Sequence, residues 1–160
     1  MITVERRSRP TLALVVAGAS LVLSLVACAF VASTVDLLPV QSEPAPASAA
    51  EVEATAHVTL PPGTVFLSAV YSNGLETRLS ATFRIPRDGL DAFVAGGAFT
   101  APVEPGRRAV TDDMSVGKGT TWHPDRAVTV SGIEEEAGRF VLFDLDDPNA
   151  VTVYLVMVQG

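Results

Sequence analysis

The sequence predicts an α+β fold, in which a mostly antiparallel sheet in the order ββαβββ carries one short helix on one face. A transmembrane or signal helix and a disordered stalk are predicted to precede it. Three observations lead to this prediction. Several short segments alternate apolar and polar residues, one short segment has apolar residues at helical spacing, and residues 10–35 contain no charge. The strands and the short helix all fall within residues 57–160, which form the predicted domain.

The uncharged segment predicts a membrane address. Residues 11–35 are long enough to cross a hydrocarbon core of about 30 Å, which takes roughly 20 helical residues. Three arginines lie within residues 1–10, and basic flanks stay on the cytoplasmic side of a membrane. We therefore expect a cytoplasmic N-terminus, a single pass through the cell membrane at 11–35, and an extracytoplasmic domain.

The sequence leaves three forms of this segment open: an uncleaved signal anchor, a lipoprotein signal or a cleaved secretory signal. The four residues that end at Cys28 resemble a bacterial lipobox, although the apolar run continues beyond it. Small residues spaced as cleavage requires occur at Ala27 and Ala29 and again at Ala54 and Ala56. All three forms place the domain outside the membrane, and lipid anchoring at Cys28 is the alternative to a membrane-spanning helix.

Residues 36–56 are predicted to be a linker. Within it, residues 41–56 consist mostly of Pro, Ala, Ser and Glu, and they bury too little apolar surface to offset the entropy of ordering. We therefore expect a disordered stalk, which would reach on the order of 50 Å when extended.

The first two strands are predicted at residues 64–71 and 75–85, because an Asn-Gly pair between two β-rich runs marks a tight turn. The second run alternates cleanly, so one of its faces is predicted to be buried. That face comprises Leu75, Thr77, Leu79, Ala81, Phe83 and Ile85. We predict a three-residue loop, which sets Leu67 opposite Leu79 and leaves Val65, Leu67, Ala69 and Tyr71 on the buried side.

A short helix is predicted over residues 88–96. Asp88 is placed to cap its N-terminus, and Leu90, Phe93 and Val94 form an apolar stripe that should cover the sheet. Residues 98–121 are rich in Pro and Gly and have few periodic apolar residues, which predicts a long surface loop.

Three further strands are predicted at residues 127–132, 139–145 and 151–158. The last is apolar on both faces, which indicates a central position or a covered edge. The predicted core consists of Leu67, Leu79, Phe83, Leu90, Phe93, Leu142, Val153 and Leu155.

The domain also resembles a known family. The resemblance rests on Arg84-Ile85-Pro86 before a helix that contains Phe93, on Trp122-x-Pro124, on the run from Arg139 to Pro148, and on Val153-Tyr154-Leu155. In these motifs the chain is similar to small membrane-anchored, in some cases lipoprotein-type, exported proteins of high-GC Gram-positive bacteria. The resemblance implies a compartment and an architecture, but no reaction.

Candidate chemistry is sparse. There is no G-x-S-x-G elbow, no spacing typical of zinc ligands and no complete phosphate-binding loop, so we predict no catalytic, metal or cofactor site. A small cell-envelope hydrolase is the alternative. It would need a pocket in which His123 lies beside Asp112, Asp113 or Asp125.

Binding candidates are Trp122 and His123, which follow the long loop. Trp122 can either anchor that loop in the core or offer a stacking surface to a partner. Residues 36–160 hold 8 of the 11 basic and 17 of the 18 acidic residues, and an acidic domain repels phosphate backbones. We therefore expect a non-catalytic envelope module that binds a protein, peptide or glycan, and no nucleic acid.

Overall fold

The computed structural model describes residues 43–74, 76–117 and 121–160, all within one compact unit. Its strands are β1 (Ala45–Pro46), β2 (Val65–Ser72), β3 (Thr77–Pro86), β4 (Glu104–Pro105), β5 (Val130–Glu134), β6 (Arg139–Asp144) and β7 (Ala150–Gln159). Its α-helices are α1 (Ala49–Ala56) and α2 (Leu90–Gly96). Short 3₁₀ turns lie at Arg87–Gly89, Asp112–Met114 and Pro124–Arg126.

The strands form one sheet in the order β1-β2-β3-β7-β6-β5-β4, and every neighbouring pair is antiparallel. The prediction of an antiparallel sheet with a short helix is confirmed. The five predicted strands make up its centre, and β1 and β4 add edges of two residues each. The last strand, β7, lies in the middle, where side chains on both of its faces are buried.

The prediction of a disordered stalk is wrong for residues 45–56, which form β1 and α1. Ser48 caps α1, and Ser48 and Glu51 form a reciprocal capping box that satisfies two otherwise unbonded N–H groups. Val52 and Ala56 are completely buried against the sheet. Composition alone missed the helix because its apolar stripe consists of one valine and several alanines. The folded domain therefore begins before residue 57.

The predicted register of the first hairpin is also wrong. Tyr71 lies opposite Leu79, and Ala69 lies opposite Ala81, so the β2 residues from Ser68 to Ser72 pair four positions further along the chain than expected. An even shift preserves the face on which each side chain lies. Leu79, Ala81, Phe83 and Ile85 are accordingly all buried, as predicted.

A β-bulge at Leu67 changes the alternation of β2. The register shifts between Phe66 and Ser68, so that Phe66 pairs with Phe83 and contacts the core. Val65 and Leu67 are 57% and 40% exposed. The prediction that Leu67 lies in the core is therefore wrong, because one extra residue exchanges the faces of the residues before it.

The first face of the sheet, here called the helix face, is covered by α1 and α2. The α2 segment starts with the 3₁₀ turn, and the Asp88 side chain makes no capping bond. Phe93 is completely buried and meets Phe83 and Phe143 in T-shaped contacts, with ring centroids 5.6 and 6.0 Å away. The predicted stripe on this helix is confirmed, since Leu90 and Val94 also pack against the core.

The opposite face, here called the loop face, is covered by residues 107–117 and 121–127, here called the covering segment, whereas Phe99, Ala101 and Val103 at the start of the predicted surface loop pack against the helix-face core. The buried residues of the covering segment and of the strands beneath it form a second cluster, which comprises Val110, Trp122, Ala127, Val130, Leu142, Tyr154 and Val156. Leu142 thus belongs to this cluster and not to the helix-face core. A Cβ atom at Gly132 would lie 2.6 Å from the Arg107 carbonyl oxygen, so only glycine lets the segment pass this close to the sheet.

The predictions for residues 11–35 and for Cys28 lie outside the described residues. Within the described ranges, no helix is long and apolar enough to cross a membrane.

Candidate functional site

Trp122 anchors the covering segment on the loop face. Its indole is 7% exposed, donates a hydrogen bond to the Thr111 carbonyl oxygen at 3.2 Å, and meets the Tyr154 ring edge to face at 5.5 Å. Burial raises the pKa of the Tyr154 phenol, which keeps that group neutral. Of the two alternatives for Trp122, this geometry corresponds to the core anchor and offers little surface for stacking.

His123 is half-buried and has no carboxylate partner among the described residues. The carboxylates of Asp112, Asp113 and Asp125, which the hydrolase alternative requires beside His123, accept hydrogen bonds from other groups. Asp112 Oδ1 accepts the Asp125 backbone N–H at 3.1 Å, and Asp125 Oδ2 accepts the Asp112 N–H at 3.3 Å. Asp113 accepts a hydrogen bond from the Thr111 hydroxyl. These contacts tie two turns of the covering segment together and form no acid–base pair with His123.

Arg139 is the most connected buried charge, at 8% exposure. Its Nη1 donates to the carbonyl oxygens of Ala56 at 3.0 Å and Gly97 at 2.9 Å, which lie at the C-terminal ends of α1 and α2. A cation at a helix C-terminus satisfies free carbonyls and complements the helix dipole. The guanidinium also lies 4.2 Å from the centre of the Phe99 ring. Arg139 therefore joins both helices to the sheet.

Glu135 balances the charge of Arg139. It directly follows β5, in the turn that leads to Arg139 at the start of β6. It is 5% exposed, forms an ion pair with Arg139, and accepts hydrogen bonds from the backbone and hydroxyl of Thr100. Burial by itself would raise the pKa of Glu135, but the bonds from Arg139 and Thr100 outweigh it and lower that pKa to about 2. The pair is structural, because its two charges are bonded to each other, to Thr100 and to the carbonyl oxygens at the helix ends.

Acid should destabilise the domain through Glu135. Because its folded pKa lies below the ordinary value of 4.5, its contribution is present above about pH 4.5 and disappears as the pH falls towards 2. The stability difference between residues 43–160 and their Glu135→Gln variant should shrink by about 3 kcal/mol from pH 7 to pH 2. Urea unfolding at both pH values measures it. A difference that does not change with pH would contradict the lowered pKa.

Exposed apolar side chains concentrate at a groove of about 410 Å³ beside the N-terminal half of β2, here called the β2 groove. Its walls include Val65, Leu67, Arg84, Pro86, Asn149 and Ala150. Val65 and Leu67 are two of the three large hydrophobic residues exposed in the described part of the chain. Two neighbouring exposed apolar side chains beside a groove favour a binding surface at this place.

Arg84 supplies the charge of the β2 groove. Its Nη2 bonds Asp147 Oδ2 at 2.5 Å, while its Nε is buried without a partner. The backbone N–H of Asn149 and the charge of Arg84 hold the pKa of Asp147 below its usual range, so this carboxylate is ionised at neutral pH. Both side chains are 42% exposed, so the pair is open to solvent and to a partner.

Neither Trp122 nor His123, the two residues singled out from the sequence, lines the β2 groove. Sequence reasoning missed Val65 and Leu67 because apolar residues at alternate positions of a strand are typical of a core. No local residue pattern marks the bulge that turns them outward. Within the described residues, no group of three or more His, Cys, Asp or Glu side chains is arranged to hold a metal ion.

No protein family, no curated protein and no solved structure matches the chain.

Proposed function

We propose that the chain is a membrane-anchored, non-catalytic binding module of the cell envelope, and that it meets its partner at the β2 groove. The observation that carries the proposal is the outward turn of Val65 and Leu67 beside this groove. Because Val65 and Leu67 are 57% and 40% exposed, each forgoes roughly half of the about 1.5 to 3 kcal/mol that full burial would contribute. A partner that covers them would recover part of it.

The engagement of the polar residues supports a non-catalytic role. The Asp112 and Asp125 carboxylates accept backbone hydrogen bonds, and Glu135 is bonded to Arg139. General acid–base chemistry requires a proton donor or acceptor that can reach a substrate. In the part of the chain described, His123 has no partner that would orient it for such a role.

The anchor in this proposal is the apolar segment 11–35 or a lipid at Cys28, and its support is the arginine asymmetry of the sequence. Residues 45–56 form β1 and α1, so they are not available as part of a tether between the anchor and the domain. With a membrane-spanning anchor, residues 36–44 can reach at most about 30 Å, and with a lipid at Cys28, residues 29–44 can reach at most about 55 Å, whatever their conformation. Such a module would therefore work close to the membrane surface, where partners also anchored in the envelope are concentrated.

Cysteine labelling in living cells tests the proposal. Leu67→Cys places a thiol in the β2 groove, and Ala92→Cys places one on the exposed side of α2 as the matched control. With a membrane-impermeant maleimide, we expect Ala92→Cys to react readily in intact native cells and Leu67→Cys to react several-fold more slowly. The two purified proteins should react at similar rates, because the partner has been removed.

Two results would contradict this expectation. Equal labelling of both thiols in cells would mean that nothing occupies the β2 groove. Labelling of neither thiol until the cells are lysed would mean that the domain does not face the exterior.

A further inference from the structure

The outer edge of β2 is only partly paired. β1 pairs with Val70 and Tyr71, and the Ala47 N–H extends this contact with a 2.9 Å bond to the Ala69 carbonyl oxygen. Beyond that point, over residues 65–68, no strand pairs on the outer side among the residues described. An unpaired edge presents backbone donors and acceptors to any extended chain that lies against it.

The apolar side chains of this edge are spaced to contact alternate side chains of an added strand. Val65 and Leu67 are two positions apart, and side chains at alternate positions of an added strand would point towards the same surface. The bulge at Leu67 interrupts regular pairing, which limits an added strand to a few residues. This geometry favours a short peptide segment over the long edge of a second sheet.

The charge at the groove favours a carboxylate. Nη2, bonded to Asp147, is the only side-chain donor of Arg84 that is engaged within the described residues. Nearby, Arg87 directs its Nη1 towards the carbonyl oxygens of Leu145 and Asp147, at 3.2 and 3.3 Å. Two guanidinium groups therefore lie beside the turn that carries Asp147. A ligand carboxylate would pair with the exposed part of the Arg84 guanidinium, whose side chain is 42% exposed.

We infer that the partner is an extended peptide segment of another protein, added as an outer strand along residues 65–68. It would place apolar side chains over Val65 and Leu67 and bring a carboxylate, from an acidic residue or a chain end, to Arg84. This inference rests on the function proposed above. It goes further because it names backbone pairing as the source of affinity and an apolar, acidic sequence as the source of specificity.

A peptide pool tests the inference on the full chain in detergent micelles. The probe is a pool of random eight-residue peptides with free C-terminal carboxylates, and retained peptides are then measured singly by fluorescence anisotropy. We expect their binding to weaken about tenfold or more with Leu67→Glu and to stay unchanged with the control Ala92→Glu. Arg84→Gln should weaken binding of acidic peptides and leave their amidated, neutral counterparts nearly unchanged.

Changes in the peptide provide a test that does not depend on how the protein variants fold. In an added strand, every second backbone N–H points towards β2 and the others point away from it. Methylation of the nitrogens that point towards β2 should weaken binding about tenfold, and methylation of the other set should weaken it little. The inference is overturned if no peptide is retained, or if neither Leu67→Glu nor backbone methylation changes the affinity of the retained peptides.

The labelling experiment separates this failure from a failure of the proposed function. If no peptide binds but Leu67→Cys is still shielded in cells, a glycan or a folded protein surface occupies the β2 groove, and only the peptide inference falls. If Leu67→Cys is freely labelled in cells, the proposed function falls as well.

Discussion

A chain that starts at residue 57 is expected to lose the cooperative unfolding transition of a chain that starts at residue 43. The shorter chain lacks α1, whose residues Val52 and Ala56 are completely buried. It also lacks the Ala56 carbonyl that Arg139 bonds at 3.0 Å, so a buried donor loses its partner. We expect a loss on the order of 5 kcal/mol, against a total of roughly 5 to 15 kcal/mol for a domain.

Thermal unfolding followed by circular dichroism and by the fluorescence of Trp122, the single tryptophan of the chain, measures this effect. Val52→Ala in residues 43–160 is the matched intermediate, because it removes the main apolar contact of α1 and keeps the helix. It should cost about 1 to 3 kcal/mol. If residues 57–160 and residues 43–160 unfold at the same temperature, α1 does not belong to the core.

Replacing Arg139 with methionine is expected to lower the free energy of unfolding by about 3 to 5 kcal/mol. The variant leaves the Glu135 carboxylate buried without its ion-pair partner, and the carbonyl oxygens of Ala56 and Gly97 lose their donor. Arg126→Met is the control, because Arg126 is exposed, and it should change stability by about 0.5 kcal/mol or less.

The double variant Glu135→Leu, Arg139→Met tests the cause of this loss. Removing both charges eliminates the uncompensated carboxylate, so the double variant should be more stable than Arg139→Met alone by about 1 kcal/mol or more. Urea unfolding at pH 7 provides the values. If the double variant is no more stable than the single one, the stranded charge is not the main cause of the loss.

The elements that were predicted correctly are those that a pattern within a few consecutive residues indicates. The alternation in β3 and the apolar stripe of α2 each place a run of side chains on one side of a regular element. The apolar residues on both sides of β7 indicated a central strand for the same reason. In each case the burial pattern repeats with the period of the element, so it can be read without knowing what covers it.

The errors concern features that depend on distant contacts. α1 contains few large apolar residues, and its burial follows from docking onto a sheet formed by later parts of the chain. The covering segment on the loop face has no period of its own, and it is held there by Trp122 against Tyr154 of β7. The register of β2 includes a shift between Phe66 and Ser68 in its pairing with β3, far from the turn that joins the two strands.

By itself the sequence determined the buried face of β3, the burial of both faces of β7, the short helix and the apolar segment on which the expected membrane address rests. Only the tertiary structure decided where the domain begins, what covers each face, and that Val65 and Leu67 turn outward. The reason is physical, because periodicity is a property of neighbouring residues, whereas a bulge is retained only when the whole sheet packs better with it. The candidate binding surface arises from that bulge, so no reading of the local sequence could have located it.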